Sequence, residues 1–149
     1  MAYARSLGVP VEFREGETRE YPLGESTLTV VPPLVGGEAN ERGLSILCAC
    51  GDFEALITGD MDAETEQRLL AALPLPDVEL LAAGHHGSSG SNSETLLAAC
   101  APETVIVSVG EGNPYGHPAR AALDRFAAIG AEVYRTDLNG DVDFIYDGS

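Results

Sequence analysis

The residue types best suited to chemistry in this chain are its three histidines and one aspartate. His85 and His86 follow an apolar run of strand length, His117 comes after a second such run, and Asp60 ends a third. Ligands of open α/β sheets collect beyond the carboxyl ends of the strands. We therefore expect these four side chains to converge on one rim of a sheet. Two polar residues are expected beside them, Ser88 and Asn113.

This set of imidazole and carboxylate groups indicates a metal site. Both groups are natural donors for zinc or manganese, and a carboxylate can bridge two cations. Two such cations activate a water and stabilise a leaving oxygen. One aspartate and two or three histidines do not complete two coordination shells, so the spacing alone also fits polar residues that merely end strands. The metal-site interpretation is favoured because Gly84 and Gly87, which bracket the histidine pair, add no helix or strand stability.

The elements that must position these residues are strands alternating with helices. Three of the apolar runs scarcely alternate in polarity, as in strands covered on both faces, and the order of elements predicts a mixed sheet. Strands are predicted over 26–31, 44–50, 53–58, 78–83 and 104–109, with a terminal hairpin over 131–136 and 141–146 around the turn at Asn139-Gly140.

Three helices are predicted between the later strands. They cover 63–73, with Asp62 as N-cap; 94–100, opened by a capping box at 91–94; and a stretch after His117 that starts at Pro118 and closes at Gly130. Three helices are enough for one face of a sheet. The pattern therefore predicts that something else covers the other face.

Composition limits the classes of function. The formal charge is −16, and all eight basic residues are arginines. Such a chain has no basic stripe for non-specific nucleic-acid binding, so a phosphate polymer would need bound metal or another domain to supply the positive field. The absence of lysine argues against receiver and P-loop chemistry. The 149 residues predict a single domain, 1–149, with loop or edge structure over 1–25 and the core over 26–149.

The cysteines are predicted to be small buried hydrophobes, because three is a poor number for a disulfide framework. In a strand, Cys48 and Cys50 would point to the same face, and Cys100 would end a helix.

Four ordered motifs resemble those of a known family. They are LITGDM at 56–61, GHHGS at 84–88, NPYGHP at 113–118 and YRTD at 134–137. Together they resemble the metallo-β-lactamase-like domain of the ComEC competence proteins, membrane proteins of bacterial DNA uptake, over about residues 20–145. The resemblance implies an α/β fold that is the C-terminal half of an αβ/βα sandwich, a mixed sheet with helices on one face.

The resemblance also implies roles for particular residues. Asp60 matches a bridging metal aspartate, and His86 is favoured as the ligand of its histidine pair. His85 and His117 match catalytic positions. His85 would either reach the substrate phosphate or support the metal ligands, and His117 would lie near the phosphate, with Ser88 and Asn113 beside them. The intact domain is then a phosphodiesterase or nuclease with two divalent ions, zinc or manganese. It would degrade DNA during competence, in a parent protein of the bacterial cytoplasmic membrane.

One departure from the family pattern changes the expectation for this chain. The main metal motif, HxHxDH or HxDxDH, belongs to the N-terminal half of that fold, and no histidine precedes His85 here. We therefore expect a truncated, soluble domain that lacks its N-terminal half, binds metal weakly and hydrolyses little or nothing. An open sheet face would lead it to dimerise or aggregate. Two alternatives stay open: a non-catalytic interaction module, and a small-ester or lactone hydrolase of the same superfamily.

Overall fold

The computed structural model describes residues 2–12, 16–34 and 43–147, and these form a seven-stranded mixed sheet with helices. The strands are β1 (Arg19–Leu23), β2 (Ser26–Val31), β3 (Ser45–Cys50), β4 (Phe53–Ile57), β5 (Leu80–Ala82), β6 (Thr104–Val107) and β7 (Glu132–Arg135). The helices are α1 (Ala2–Ser6), α2 (Ala63–Ala72), α3 (Glu94–Cys100), α4 (Arg120–Ala128) and α5 (Thr136–Asn139), with a 3-10 turn at Gly84–Gly87. In the described part of the chain, no helix is long and apolar enough to cross a membrane.

The strands follow one another across the sheet in sequence order. The first four form an antiparallel meander, and β4 to β7 are parallel. Each parallel step contains a helix, α2, α3 and then α4. Because such crossovers have one handedness, successive helices pack on the same face of the sheet. The predicted mixed sheet with helices on one face is confirmed.

The main core lies between the sheet and these helices. Register places five buried apolar strand residues on the helix side: Val31, Leu56, Leu81, Val105 and Val107. Four of them meet fully buried side chains of α3 and α4, including Leu96, Leu97 and Phe126. Val31 packs in a second cluster with Met61 and Leu69. On the opposite face, no side chain of the described strands is fully buried. Its apolar residues include Leu28, Val30, Ile46, Cys48, Ile57, Leu80, Ala82 and Ile106.

Local signals explain where several elements begin. Asp62 is the N-cap of α2, as predicted, and its Oδ1 accepts a hydrogen bond from the Thr65 N–H at 2.8 Å. The predicted capping box at 91–94 is wrong. Ser93 caps α3 by accepting from the Leu96 N–H at 3.2 Å, because the Ser91 hydroxyl donates instead to the Met61 carbonyl at 2.6 Å.

The start of α4 also differs from the prediction. We expected Pro118 as the first helical residue, but α4 begins at Arg120 with Ala119 as its N-cap. The Ala119 N–H is used elsewhere, since it donates to the Gly87 carbonyl at 2.8 Å. His117 therefore lies before the helix and not in its first turn.

The two ends of the chain compare differently with the sequence-based expectation. The terminal hairpin is wrong: β7 passes directly into α5, and residues 141–147 contain no strand. Phe144 and Tyr146 instead stack on Phe53, each with a ring-centroid distance of 5.3 Å. The segment 1–25, expected as loop or edge, contains α1 and the edge strand β1; Met1 and residues 13–15 lie outside the described part.

Candidate active site

The candidate site lies at the carboxyl edge of the parallel strands, as the sequence predicted for the histidines. The turn after β5 contains His85 and His86, and the loop after β6 contains His117. The turn after β4, which contains Asp60, contacts the first of these through the backbone. There the His85 N–H donates to the Gly59 carbonyl at 2.9 Å.

The three imidazole rings form one cluster. The ring centroid of His85 is 6.3 Å from that of His86 and 5.6 Å from that of His117, both in edge-to-face arrangements. The ring of Tyr115 stacks on His117 with centroids 6.1 Å apart and an interplanar angle of 18°. Tyr115 itself is 80% exposed, so its outer face is open to a ligand.

The protonation pattern of His86 follows from one hydrogen bond. Its Nδ1 lies 2.7 Å from the Ser108 carbonyl oxygen. A carbonyl oxygen only accepts hydrogen bonds, so Nδ1 carries the proton in the neutral ring and Nε2 keeps its lone pair. Metal-binding histidines are usually oriented in this way, with the second nitrogen donating to a carbonyl or carboxylate.

The rings of His86 and His117 line an open pocket of about 440 Å³. Its remaining lining comes from the loop after β6 and from the start of α5: Ser108, Val109, Gly110, Asn113, Tyr115 and Thr136. The buried Nδ1 of His117 has no hydrogen-bond partner in the described part of the chain. An open pocket lined by two imidazole rings suits a polar ligand.

Two side chains hold the loop that forms this pocket. Asn113 donates from Nδ2 to the His117 carbonyl at 2.7 Å and accepts from the His117 N–H at 3.0 Å. Thr136 binds the other end of the loop, since its Oγ1 accepts from the Val109 N–H at 2.7 Å and donates to the Val109 carbonyl at 2.8 Å. Asn113 thus positions His117, while its predicted place beside a substrate phosphate stays a prediction.

The histidine turn has an unusual backbone. His85 and His86 are in the left-handed region with φ of 48° and 54°, which costs about 1–3 kcal/mol per non-glycine residue. The bracketing glycines have a structural reason. A Cβ on Gly84 would lie 2.9 Å from Thr58 Oγ1, and one on Gly87 would lie 2.7 Å from the Cβ of Pro118. Glycine is therefore needed on both sides for the turn to pack.

Sequence analysis missed Asn92, which contacts this turn from a neighbouring loop. Asn92 is fully buried, with Oδ1 accepting from the Gly84 N–H at 2.8 Å and Nδ2 donating to the Gly84 carbonyl at 2.9 Å. The SNSE pattern predicted helix capping, and no local pattern indicates a partner eight residues upstream. The only available signal was an asparagine close after the histidine pair.

The loop containing Asn92 is held from both sides by charged residues, which sequence analysis also missed. The carboxylate of Glu66 is fully buried and accepts from the N–H groups of Asn92 and Ser93 at 2.5 and 2.9 Å. Arg125 donates from Nε to the Asn92 carbonyl at 2.8 Å and from Nη2 to the Ser91 carbonyl at 2.7 Å. Helices α2 and α4 thereby fix this loop.

The predicted metal set is not assembled by the described residues alone. They contain no group of three or more His, Cys, Asp or Glu side chains placed to hold a metal ion. Asp60 is half-buried in its turn, and Ser88 lies outside the pocket lining, where its Oγ accepts from the Gly90 N–H at 3.3 Å. Metal binding by this chain and the individual roles of Asp60 and Ser88 stay predictions.

The charged residues of the YRTD motif at 134–137 have a structural role. Arg135 donates to both carboxylate oxygens of Asp137, at 3.0 and 2.6 Å. These hydrogen bonds hold the pKa of the Asp137 carboxyl below its usual range. Asp137 is therefore ionised and paired at neutral pH, which makes it a poor proton donor.

Comparison with known proteins gives relatives of one kind. No protein-family model matches the chain. It is 34% identical over 146 residues to ComE operon protein 3 of Bacillus subtilis, covering 96% of this chain and 19% of that protein. It is 35% identical to Competence protein ComA of Neisseria gonorrhoeae (70% of this chain, 15% of that protein). Recombination protein 2 of Haemophilus influenzae is also 35% identical (69% and 13%). The chain thus spans about a fifth or less of the length of these relatives.

A solved structure shares the fold. CmlA beta-hydroxylase, as its E377D mutant, superposes with a TM-score of 0.55 at 13% identity, covering 90% of this chain and 34% of that one. With the half-sandwich and its histidine edge, this defines the class: the chain has the metallo-β-lactamase fold, in the form of its C-terminal half. The relatives then give the family. The chain belongs to the ComEC competence proteins.

Proposed function

We propose that this chain is the C-terminal part of a metal-dependent phosphodiesterase or nuclease domain that degrades DNA during competence. One observation carries the proposal. His85, His86 and His117 meet at the carboxyl edge of the sheet, and His86 and His117 also line an open pocket. Their clustering, in a chain whose relatives are named for competence and recombination, supports chemistry on nucleic acid.

The metal ions of the proposed site need donors from outside the described residues. Asp60 and His86 are the ligands that this chain would contribute, and the lone pair left on His86 Nε2 supports the second of them. Zinc or manganese, two ions in the intact domain, would supply positive charge that an acidic chain lacks. The chain alone is proposed to bind metal weakly and to have little or no activity.

Tyr115 is proposed to bind a base of the DNA strand. Its exposed ring already stacks on His117 at the pocket, and stacking on an aromatic side chain is the usual sequence-tolerant way to hold an unpaired base. Such contacts are worth about 1–3 kcal/mol per base. Tyr115→Phe would then keep DNA affinity in the intact domain, and Tyr115→Ala would reduce it about tenfold or more.

The uncovered face of the sheet is proposed to bind the N-terminal half of the same domain. The face has many apolar strand side chains, none of them fully buried, and an apolar sheet face is normally packed against another layer. Without that half, two copies of this chain would pair through it. In the parent, which we place in the bacterial cytoplasmic membrane, this domain would lie outside the bilayer.

The proposal is tested with a longer chain of the parent that includes the whole domain. We expect it to cleave DNA with manganese or zinc, and to bind either ion in the micromolar range or tighter. Asp60→Ala and His86→Ala should abolish cleavage and weaken metal binding.

Asp52→Ala is the matched control. This exposed carboxylate lies in the β3–β4 turn, at the opposite end of the strand that leads to Asp60, so activity should be unchanged. A whole domain that binds neither ion would contradict the nuclease proposal and favour an interaction module. One that binds metal but cleaves only small esters or lactones would replace DNA as the substrate.

A further inference from the structure

The histidine turn raises a question of stability. Two successive non-glycine residues, His85 and His86, adopt left-handed backbone angles, and such conformations persist only where the surroundings impose them. A contact that imposes this backbone therefore also determines where the two imidazoles lie. The described residues offer contacts on each side of the turn.

Most of these contacts are single hydrogen bonds from the turn to its neighbours. The His85 N–H donates to Gly59, and the Ala119 N–H donates to the carbonyl of Gly87. Asn92 differs because one side chain satisfies both the N–H and the carbonyl of Gly84. It thereby fixes the peptide orientation at the residue that immediately precedes His85.

Asn92 is itself immobilised in a way that suits this task. Its backbone is also left-handed, with φ of 58°, and its N–H and carbonyl are bound by Glu66 and Arg125. The same loop reaches the aspartate turn, since the Ser91 hydroxyl donates to the carbonyl of Met61. One loop, buried at Ser91 and Asn92, thus contacts the turns that contain Asp60 and the histidine pair.

We propose that Asn92 is the positioning residue of the histidine site: it holds Gly84 so that His86 keeps its Nδ1 on the Ser108 carbonyl and its Nε2 lone pair free. Asn92 touches no reacting group. It acts through the turn, and Glu66 and Arg125 act through Asn92. The inference rests on the proposed function for its purpose, but its structural content is measurable in this chain without metal or DNA.

The test is the tautomer of His86, read from long-range ¹H–¹⁵N NMR correlations at a pH where the ring is neutral. The wild type should show the Nδ1–H form. Asn92→Gly keeps the left-handed backbone and the bonds to Glu66 and Arg125 but removes the contact to Gly84. In this variant, His86 should revert to the Nε2–H form that free histidine prefers in water, and the Gly84 amide should exchange about tenfold faster or more.

Val105→Ala is the matched control, because it destabilises the buried core without touching the loop. It should leave the His86 tautomer unchanged. A folded Asn92→Gly variant that keeps the Nδ1–H form, or a wild type in the Nε2–H form, would overturn the inference.

A second variant covers the case in which Asn92→Gly does not fold. Arg125→Gln releases the carbonyls of Ser91 and Asn92 from one side and leaves the Asn92 side chain in place. We expect faster exchange at Gly84 than in the wild type, and unchanged exchange would count against the inference. If the whole domain is inactive but His86 has the expected tautomers in the wild type and in Asn92→Gly, only the nuclease proposal is refuted. If the whole domain is active but Asn92→Gly leaves the His86 tautomer unchanged, only the positioning role is refuted.

Discussion

The two faces of the sheet have similar apolar residues and very different burial. On β5, Leu81 is fully buried against the helices, while its neighbour Leu80 on the other face is only half-buried. The same holds on β4 for Leu56 and for Ile57, which is 41% exposed. Apolar composition therefore does not report which face this chain covers by itself. It reports that both faces are suited to being covered. Among the described residues, helices cover one face, and only the stacked rings of Phe144 and Tyr146 pack on the other, at Phe53.

The largest expected effect comes from the same substitution on each side of one strand. Leu81→Ala should lower the free energy of unfolding by about 2–5 kcal/mol, because it leaves a cavity in a close-packed core. Leu80→Ala, its control, should cost about 1 kcal/mol, since its side chain is already partly in water. Chemical denaturation measures both. Equal losses would mean that the second face is packed in solution, by another copy or by another segment.

Thiol labelling compares the two faces without changing the sequence. Burial raises the pKa of the Cys100 thiol, on the helix side, to about 12. Cys48 lies half-buried on the open face, where burial also raises its pKa. At pH 8 and low protein concentration, Cys100 should react about a hundredfold more slowly than Cys48 or more, because the thiolate is the reactive form. Fast labelling of Cys100 in the folded chain would contradict this core.

Self-association tests the open face directly. Ile57→Asp, on the open face, should weaken pairing of this chain about tenfold or more, since it buries a charge in the proposed contact. Ile129→Asp is matched in chemistry and exposure, at 40% against 41%, but lies at the end of α4. It should leave pairing unchanged. Sedimentation across protein concentrations distinguishes them, and a wild type that stays monomeric when concentrated would sink the pairing proposal.

The smallest effect concerns the helix layer and depends on pH. Hydrogen bonds from the Thr65 N–H hold the pKa of Asp62 below its usual range. A lowered pKa in the folded state adds stability above the unfolded value, and this is lost as pH falls through the folded value. Asp62→Ala should therefore cost about 0.5–2 kcal/mol at pH 7 and less near pH 2. Asp62→Asn, which still caps, should be close to neutral at both.

Much of the sheet was predictable because its signals are local. The strand runs and the cap at Asp62 depend on residues within a few positions, and the structure has them near the expected places. The terminal hairpin failed because the tertiary contacts of Phe144 and Tyr146 with Phe53 outweighed the local turn preference of Asn139-Gly140. The predicted start of α4 at Pro118 was also wrong, because a contact distant in sequence, from the Ala119 N–H to the Gly87 carbonyl, holds the residues before the helix.

The sequence by itself determined that histidines would follow the parallel strands, and parallel pairing then brings such positions to one edge. Only the tertiary structure decided how that edge is held. Asn92 reaches Gly84 across eight residues, Glu66 reaches Asn92 across 26, and Arg125 reaches it across 33. Hydrogen bonds over such separations leave no periodic pattern, because each depends on where three helices and a sheet bring the chain together. The residue types at this edge were therefore readable, and the contacts that orient them were not.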